Sequence, residues 1–156
     1  MGLDPFWRIA TNVRRAAVII IPMDLSSHGV VALVRNTNGK LLLLEDAREQ
    51  MKGLWAPPHG RCEREDFTEE AGVIREVKEE TGLEVTPIKK VHTQPADTKV
   101  KTVSFWLVDC TSTDVTLDEE SSPCGWFAVE EALGMSLCPG TRLFFEMVRD
   151  GKITID

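Results

Sequence analysis

No apolar run in this sequence is long enough to cross a bilayer. The longest, Ala16–Met23, falls well short of the roughly 20 residues a membrane helix needs and contains Pro22. No small-residue cleavage site follows it, so it does not have the form of a secretory signal, and a cytoplasmic location is expected. There is no C-x-x-C pair, and no histidine stands at zinc-ligand spacing from Cys62, Cys110, Cys124 or Cys138, which argues against a zinc finger or ribbon. The cysteines therefore read as reduced, mostly buried thiols. Basic charge is scarce: 18 Lys and Arg stand against 25 Asp and Glu, for a net charge of -7. A broad grip on a long nucleic acid needs clustered Lys and Arg, so long polyanions are not expected as partners, and neither is a membrane. Internal repeats, low-complexity tracts and linkers are also missing.

What remains has the composition of a folded domain, with 42% hydrophobic and 28% charged residues over 156 positions. Residues 1–156 read as a single domain, in which 1–27 form an N-terminal extension with a strand over Ala16–Pro22 and with Phe6 and Trp7 free to dock on the domain or a partner. Gly29–Val34 and Lys40–Leu44 flank Asn36-Thr-Asn-Gly39, a strong turn signal, and predict a hairpin. Trp55-Ala-Pro-Pro-His-Gly60 cannot be helical through its two prolines and forms a rigid entry loop. Thr68–Thr81 predicts a helix capped by Gly82, with Ala71, Ile74 and Val77 at three-residue spacing and Ile74 and Val77 anchoring it on the sheet. Leu83–His92, Lys99–Cys110 and Gly125–Val129 predict further strands. Glu130–Met135 and Thr141–Arg149 predict closing helices, the second amphipathic through Leu143, Phe144 and Met147. Strands with helices on both sides give an α/β sandwich.

The chemistry concentrates on the central helix. Glu76, Glu79 and Glu80 stand at i, i+3 and i+4, on one face, where like charges destabilise a helix unless something compensates. A solvated glutamate face would explain an arbitrary E-x-x-E-E. A hard divalent cation such as Mg²⁺, which takes oxygen ligands and pairs readily with phosphates, explains it with a function.

The surrounding string decides between them. Arg75-Glu-Val-Lys-Glu-Glu-Thr-Gly-Leu83 resembles the R-E-U-x-E-E-x-G-U core of the Nudix box (U aliphatic) at every specified position. Upstream the spacing departs by one residue: counting forward from Gly60 puts Asp66 at the box's first glutamate, counting back from Arg75 puts Phe67 there, and Glu63 and Glu65 lie nearby.

The resemblance implies an α/β; Nudix-type α/β/α sandwich with a mixed β-sheet, and an enzyme in which water attacks a phosphorus of a nucleoside diphosphate linked to another moiety. It implies metal ligation by Glu79, Glu80, Glu76 and the carbonyl of Gly60, with Mg²⁺ as cofactor and Mn²⁺ as substitute. Glu76 is a metal ligand or the base that activates water, and Arg75 orients a glutamate by a charge-assisted bond. Glu120, with Glu119 second, is the candidate for a further metal carboxylate from outside the box. Lys99, Lys101, His59 and Trp106 are candidates for substrate contacts. Trp55-Ala-Pro-Pro-His-Gly60 and Lys101–Leu107 are also similar to diadenosine tetraphosphate hydrolases, although the chain has no Tyr to stack an adenine. Glu45–Trp55 looks like Nudix enzymes that clear oxidised nucleotides. A small-molecule nucleotide is the expected partner; a non-catalytic nucleotide sensor is the alternative, and the sequence leaves a homodimer open.

Overall fold

The computed structural model describes residues 25–96, 99–110, 112 and 123–156. The expected strand at Ala16–Pro22, Phe6 and Trp7, and the metal candidates Glu119 and Glu120 lie outside the described residues.

The first apolar run forms β1 (His28–Arg35), buried on both faces from Gly29 to Val34. The predicted turn follows: the Asn36 side chain accepts from the N–H groups of Asn38 and Lys40, and Gly39 takes φ 75°. The chain then enters β2 (Leu41–Glu45), and Arg35 pairs with Leu41 in the expected hairpin. β3 (Trp55–Ala56) extends the sheet beyond β2, and β4 (His59–Arg61) pairs with the start of β1. The two prolines between them confine this stretch to the extended conformations seen.

Three further strands complete the described sheet: β5 (Thr86–Pro95), β6 (Thr102–Asp109) and β7 (Cys124–Phe127). Its order is β3-β2-β1-β6-β5, with β7 against β2. β1 and β6 run parallel in unbroken register from His28↔Thr102 to Arg35↔Asp109, whereas the other pairings are antiparallel, so the sheet is mixed.

Helix α1 (Glu69–Thr81) covers one face, while α2 (Val129–Leu133) and α3 (Pro139–Arg149) pack on the other, completing an α/β/α sandwich. Under α1 lie Val30, Ala32, Val34, Leu42 and Val108. The opposite core holds Leu33, Leu43 and Leu107, with Phe105 stacked on Phe144 at 4.1 Å. No helix among the described residues is long and apolar enough to cross a membrane. All four cysteines are free thiols, three buried and Cys124 half-buried.

The C-terminal cap of α1 is the expected Gly82, and Thr68, expected as its first helical residue, is its N-cap. Thr68 Oγ1 accepts from the Ala71 N–H at 3.1 Å, and Gly82 closes the helix with φ 73°. Its buried side differs from expectation. Val73 and Val77, one turn apart, are the sealed anchors, and Ile74 is 41% exposed. A step of 100° per residue turns Ile74 away from the sheet once Val73 faces it. Likewise in α3, Phe144 and Phe145 fill the core while Leu143 is half exposed.

The first turn of α1 is pinned by a polar cluster. Glu69 accepts from Lys90 Nζ at 2.6 Å and pairs with His28 Nε2 at 2.7 Å; His28 also meets Thr102 Oγ1 and Ser104 Oγ. Burial pulls the Glu69 pKa upward, and these donors more than offset it, lowering the pKa from 4.5 to about 2. The folded state therefore gains stability from this carboxylate above pH 4.5 and loses it as pH falls toward about 2. Glu69→Gln should remove up to about 3 kcal/mol at neutral pH and flatten that acid limb, as urea unfolding at a series of pH values would show.

Candidate functional site

Three segments meet at the site: the end of α1, strand β4, and the loop between β4 and α1. Gly60 supplies the close approach. A Cβ built on it would land on the carboxyl group of Glu76, so glycine lets that carboxyl lie undisplaced against the strand. One residue back, the His59 backbone N–H donates to Glu80.

The carboxylates differ in setting. Glu79 is open to solvent, whereas Glu76 and Glu80 turn inward. Burial, reinforced by the neighbouring charges of Glu76, Asp46 and Glu79, pushes the Glu80 pKa up to about 8, against the pull of the His59 N–H. Burial also raises Glu76, opposed by Arg75. Among the described residues, two inward carboxylates thus share one corner in which burial disfavours their charged forms.

Arg75 spans the gap between helix and loop. Its Nη1 donates to Glu76 at 2.9 Å and to Glu79 at 3.2 Å; its Nη2 donates to the Arg61 carbonyl at 3.1 Å and to Asp66 Oδ2 at 2.7 Å. Hydrogen bonding to Asp66 is the foremost reason its pKa rises further. Among the described residues, no three His, Cys, Asp or Glu side chains are already gathered at metal-holding distances. Instead, Arg75 takes up Glu76 and Glu79 while Glu80 turns to the backbone.

The extra residue in the loop has a clear physical outcome. Asp66 is buried, accepts from the Glu63 N–H at 2.8 Å and clamps Arg75, whereas Phe67 is 91% exposed. Asp66 thus fills the position that spacing left ambiguous, and Phe67 is the bulged-out residue. Asp66→Ala should cost about 2–3 kcal/mol by leaving Arg75 without its buried partner. Thermal unfolding of both variants should show that loss for Asp66→Ala and place Phe67→Ser within about 0.5 kcal/mol of the parent.

The sequence matches the model of the NUDIX domain over residues 26–146. The chain belongs to the Nudix family. It is 31% identical over 133 residues to nudix hydrolase 1 of Caenorhabditis elegans, covering 84% of this chain; this Nudix chain spans 33% of that protein's length. Among solved structures it resembles the MutT protein of Methanosarcina mazei Go1, with TM-score 0.65 and 32% identity over 80% of this chain and 94% of the other. The Ap4A hydrolase of C. elegans shares the Nudix fold, with TM-score 0.63, 20% identity and coverage of 80% and 96%.

The other residues singled out from the sequence fall into two groups. His59 stands beside the carboxylates. Its Nδ1–H donates to the Pro57 carbonyl at 2.8 Å, leaving Nε2 turned toward Asp46 at 3.7 Å. Lys99 and Lys101 are exposed in the loop before β6, where the Lys101 N–H meets the Ser27 carbonyl. That is the end of the sheet where α1 begins, the opposite end of the helix from Glu80. Trp106 is buried in the core under α1, with the Lys90 ammonium 5.9 Å from its ring centroid, and offers no open face to a base. Alternation along β6 puts it there, on the same side as Ser104 and Val108.

Sequence reasoning passed over Asp46 and Arg48. The Asp46 side chain is 4% exposed and accepts from Arg48 through both carboxylate oxygens, from Nε at 2.9 Å and Nη2 at 2.6 Å. An Asp-x-Arg in a polar loop carries no signal that its carboxylate will be buried.

Proposed function

We propose that the chain is a Mg²⁺-dependent pyrophosphohydrolase that cleaves a nucleoside diphosphate linked to another moiety. The observation that carries this reading is the fit of the box: Glu76 packed against a glycine with no room for a Cβ, and Glu80 buried beside it with a raised pKa. Glu76, Glu79, Glu80 and the Gly60 carbonyl would hold the cation. Their all-oxygen donor set suits Mg²⁺, with Mn²⁺ as substitute. When bound, the cation supplies charge neutralisation at the phosphoanhydride oxygens.

The protein's own groups then have separable tasks. Glu76 would either help hold the cation or receive the proton of the attacking water, Arg75 fixes the direction of Glu76 and Glu79, and Asp66 fixes Arg75. Water adds to one phosphorus as the bridging oxygen leaves with the other phosphate, giving a nucleoside monophosphate and a second phosphorylated product. Because Asp66 restores the clamp on Arg75, the altered loop spacing gives no support to a non-catalytic sensor.

The test is release of nucleoside monophosphate, with and without Mg²⁺, from diadenosine tetraphosphate, ADP-ribose and oxidised dGTP. Turnover of any of these, abolished by chelation, is the expected result. A folded protein that binds nucleotides and turns over none would end the hydrolase reading.

A further inference from the structure

The box brings only carboxylates and a carbonyl to the reacting bond, yet a phosphoanhydride carries negative charge on both of its phosphorus centres. A cation held by the helix answers one side. The other side needs a positive group of the protein itself, fixed in place and open to solvent.

Arg48 has these properties. It sits in the loop after β2, which is closed by the Asp46 N–H to the Leu54 carbonyl at 2.7 Å and by the Gly53 N–H to Glu45 Oε1 at 3.0 Å. Its guanidinium is held on one edge by the two oxygens of Asp46, while the side chain is still 48% exposed. A surface Asp–Arg pair ordinarily has both partners in water; here the carboxylate is buried and the guanidinium is not. Cys138 Sγ, at 3.8 Å, and His59 Nε2, at 3.7 Å, close the remaining approaches to Asp46. The Asp46 charge is therefore committed to orienting Arg48 through Nε and Nη2, while the guanidinium keeps its exposure to solvent among the described residues.

The location matches the need. His59 faces Asp46 through its ring and holds Glu80 through its backbone N–H, so one residue links the two clusters. Arg48 also lies within electrostatic reach of Glu80. We propose that Arg48 binds the phosphoryl group on the side of the scissile bond away from the cation, with Asp46 as the positioning residue that aims it. This rests on the pyrophosphohydrolase reading and adds the residue that grips the second phosphate. A planar fork donating to phosphate oxygens suits that task better than a lysine would.

The experiment compares the parent with Arg48→Ala, Arg48→Lys and Asp46→Asn. Two readouts are used: kcat and KM on the preferred nucleotide, and calorimetric affinity for the non-hydrolysable α,β-methylene ADP with Mg²⁺ present. Arg48→Ala should lower kcat/KM roughly 10- to 100-fold, as loss of a charge-assisted bond does, and weaken the analogue about as much. Millimolar guanidinium should restore part of the loss. Arg48→Lys should recover less than guanidinium, and Asp46→Asn should fall between parent and Arg48→Ala. Thermal stabilisation by Mg²⁺ alone should be unchanged in Arg48→Ala.

Parental analogue affinity in Arg48→Ala overturns the proposal, and so does an equal loss of Mg²⁺ response, which would place Arg48 in the metal site. If the parent turns over no nucleotide while Arg48→Ala still loses analogue affinity, the phosphate subsite stands and the hydrolase reading falls.

Discussion

Glu80→Gln is expected to abolish Mg²⁺-dependent hydrolysis and, at the same time, to raise the stability of the metal-free protein. The two effects share one cause. Glu80 has an ordinary pKa of 4.5 and a folded value of about 8, so the folded state prefers it protonated. Its contribution to stability is intact below pH 4.5 and is lost as pH rises toward about 8. Glutamine keeps the shape without the charge. The melting temperatures of the two proteins in chelator should coincide at low pH and separate through this window, with the variant the more stable. Activity should fall by at least roughly 100-fold, since even residues that only support metal ligands cost up to that much. Glu79→Gln at the exposed position should lose turnover without the gain in stability. A Glu80→Gln protein that melts below the parent at pH 8 would refute the assignment of Glu80 as an uncompensated buried carboxylate.

Gly60→Ala should damage activity far more than folding. The added methyl meets the end of the Glu76 side chain, which can swing aside, and no backbone atom is among its nearest neighbours. The expected stability cost is therefore about 1–2 kcal/mol, at the low end for overpacking. Displacing the Glu76 carboxylate by even an ångström should cost about 100-fold in kcat, because catalysis depends on that placement. The double variant Gly60→Ala with Glu76→Ala separates the effects: removing the obstructing side chain should return the melting temperature toward that of Glu76→Ala alone, while activity stays lost. If Gly60→Ala is fully active, Glu76 has no fixed role at that strand.

The parts of this site that could be read from the sequence are those governed by local chemistry. Gly82 declared the end of α1 through capping, and Arg75–Leu83 carried its pattern on the last turns of that helix and its cap. The rest was not legible because tertiary placement chooses there between local options. Val73 and Ile74 are both suited to a helix interior, and only the position of the sheet selects Val73. Asp66 and Phe67 could each have stood at the ambiguous box position, and burial with Arg75 selects the aspartate. Trp106 could have faced a ligand or the core, and the pairing of β6 beside β1 sends it inward. Asp46 and Arg48 lie in a loop whose polar composition predicts exposure; burial of that carboxylate depends on Cys138 and His59, distant in sequence.

The parallel pairing of β1 with β6 also sets the order in which this protein can assemble. His28 must find Thr102, with α1 and the whole carboxylate-bearing loop contained in the intervening chain. Closing so long a loop is entropically slow, and the reward comes only when the central ladder zips. The hairpin and the capped helix, by contrast, need only near neighbours. The expected limit on folding speed is therefore the encounter of two apolar strands, and refolding kinetics should show substitutions at Glu76, Glu79 or Glu80 leaving the rate almost untouched.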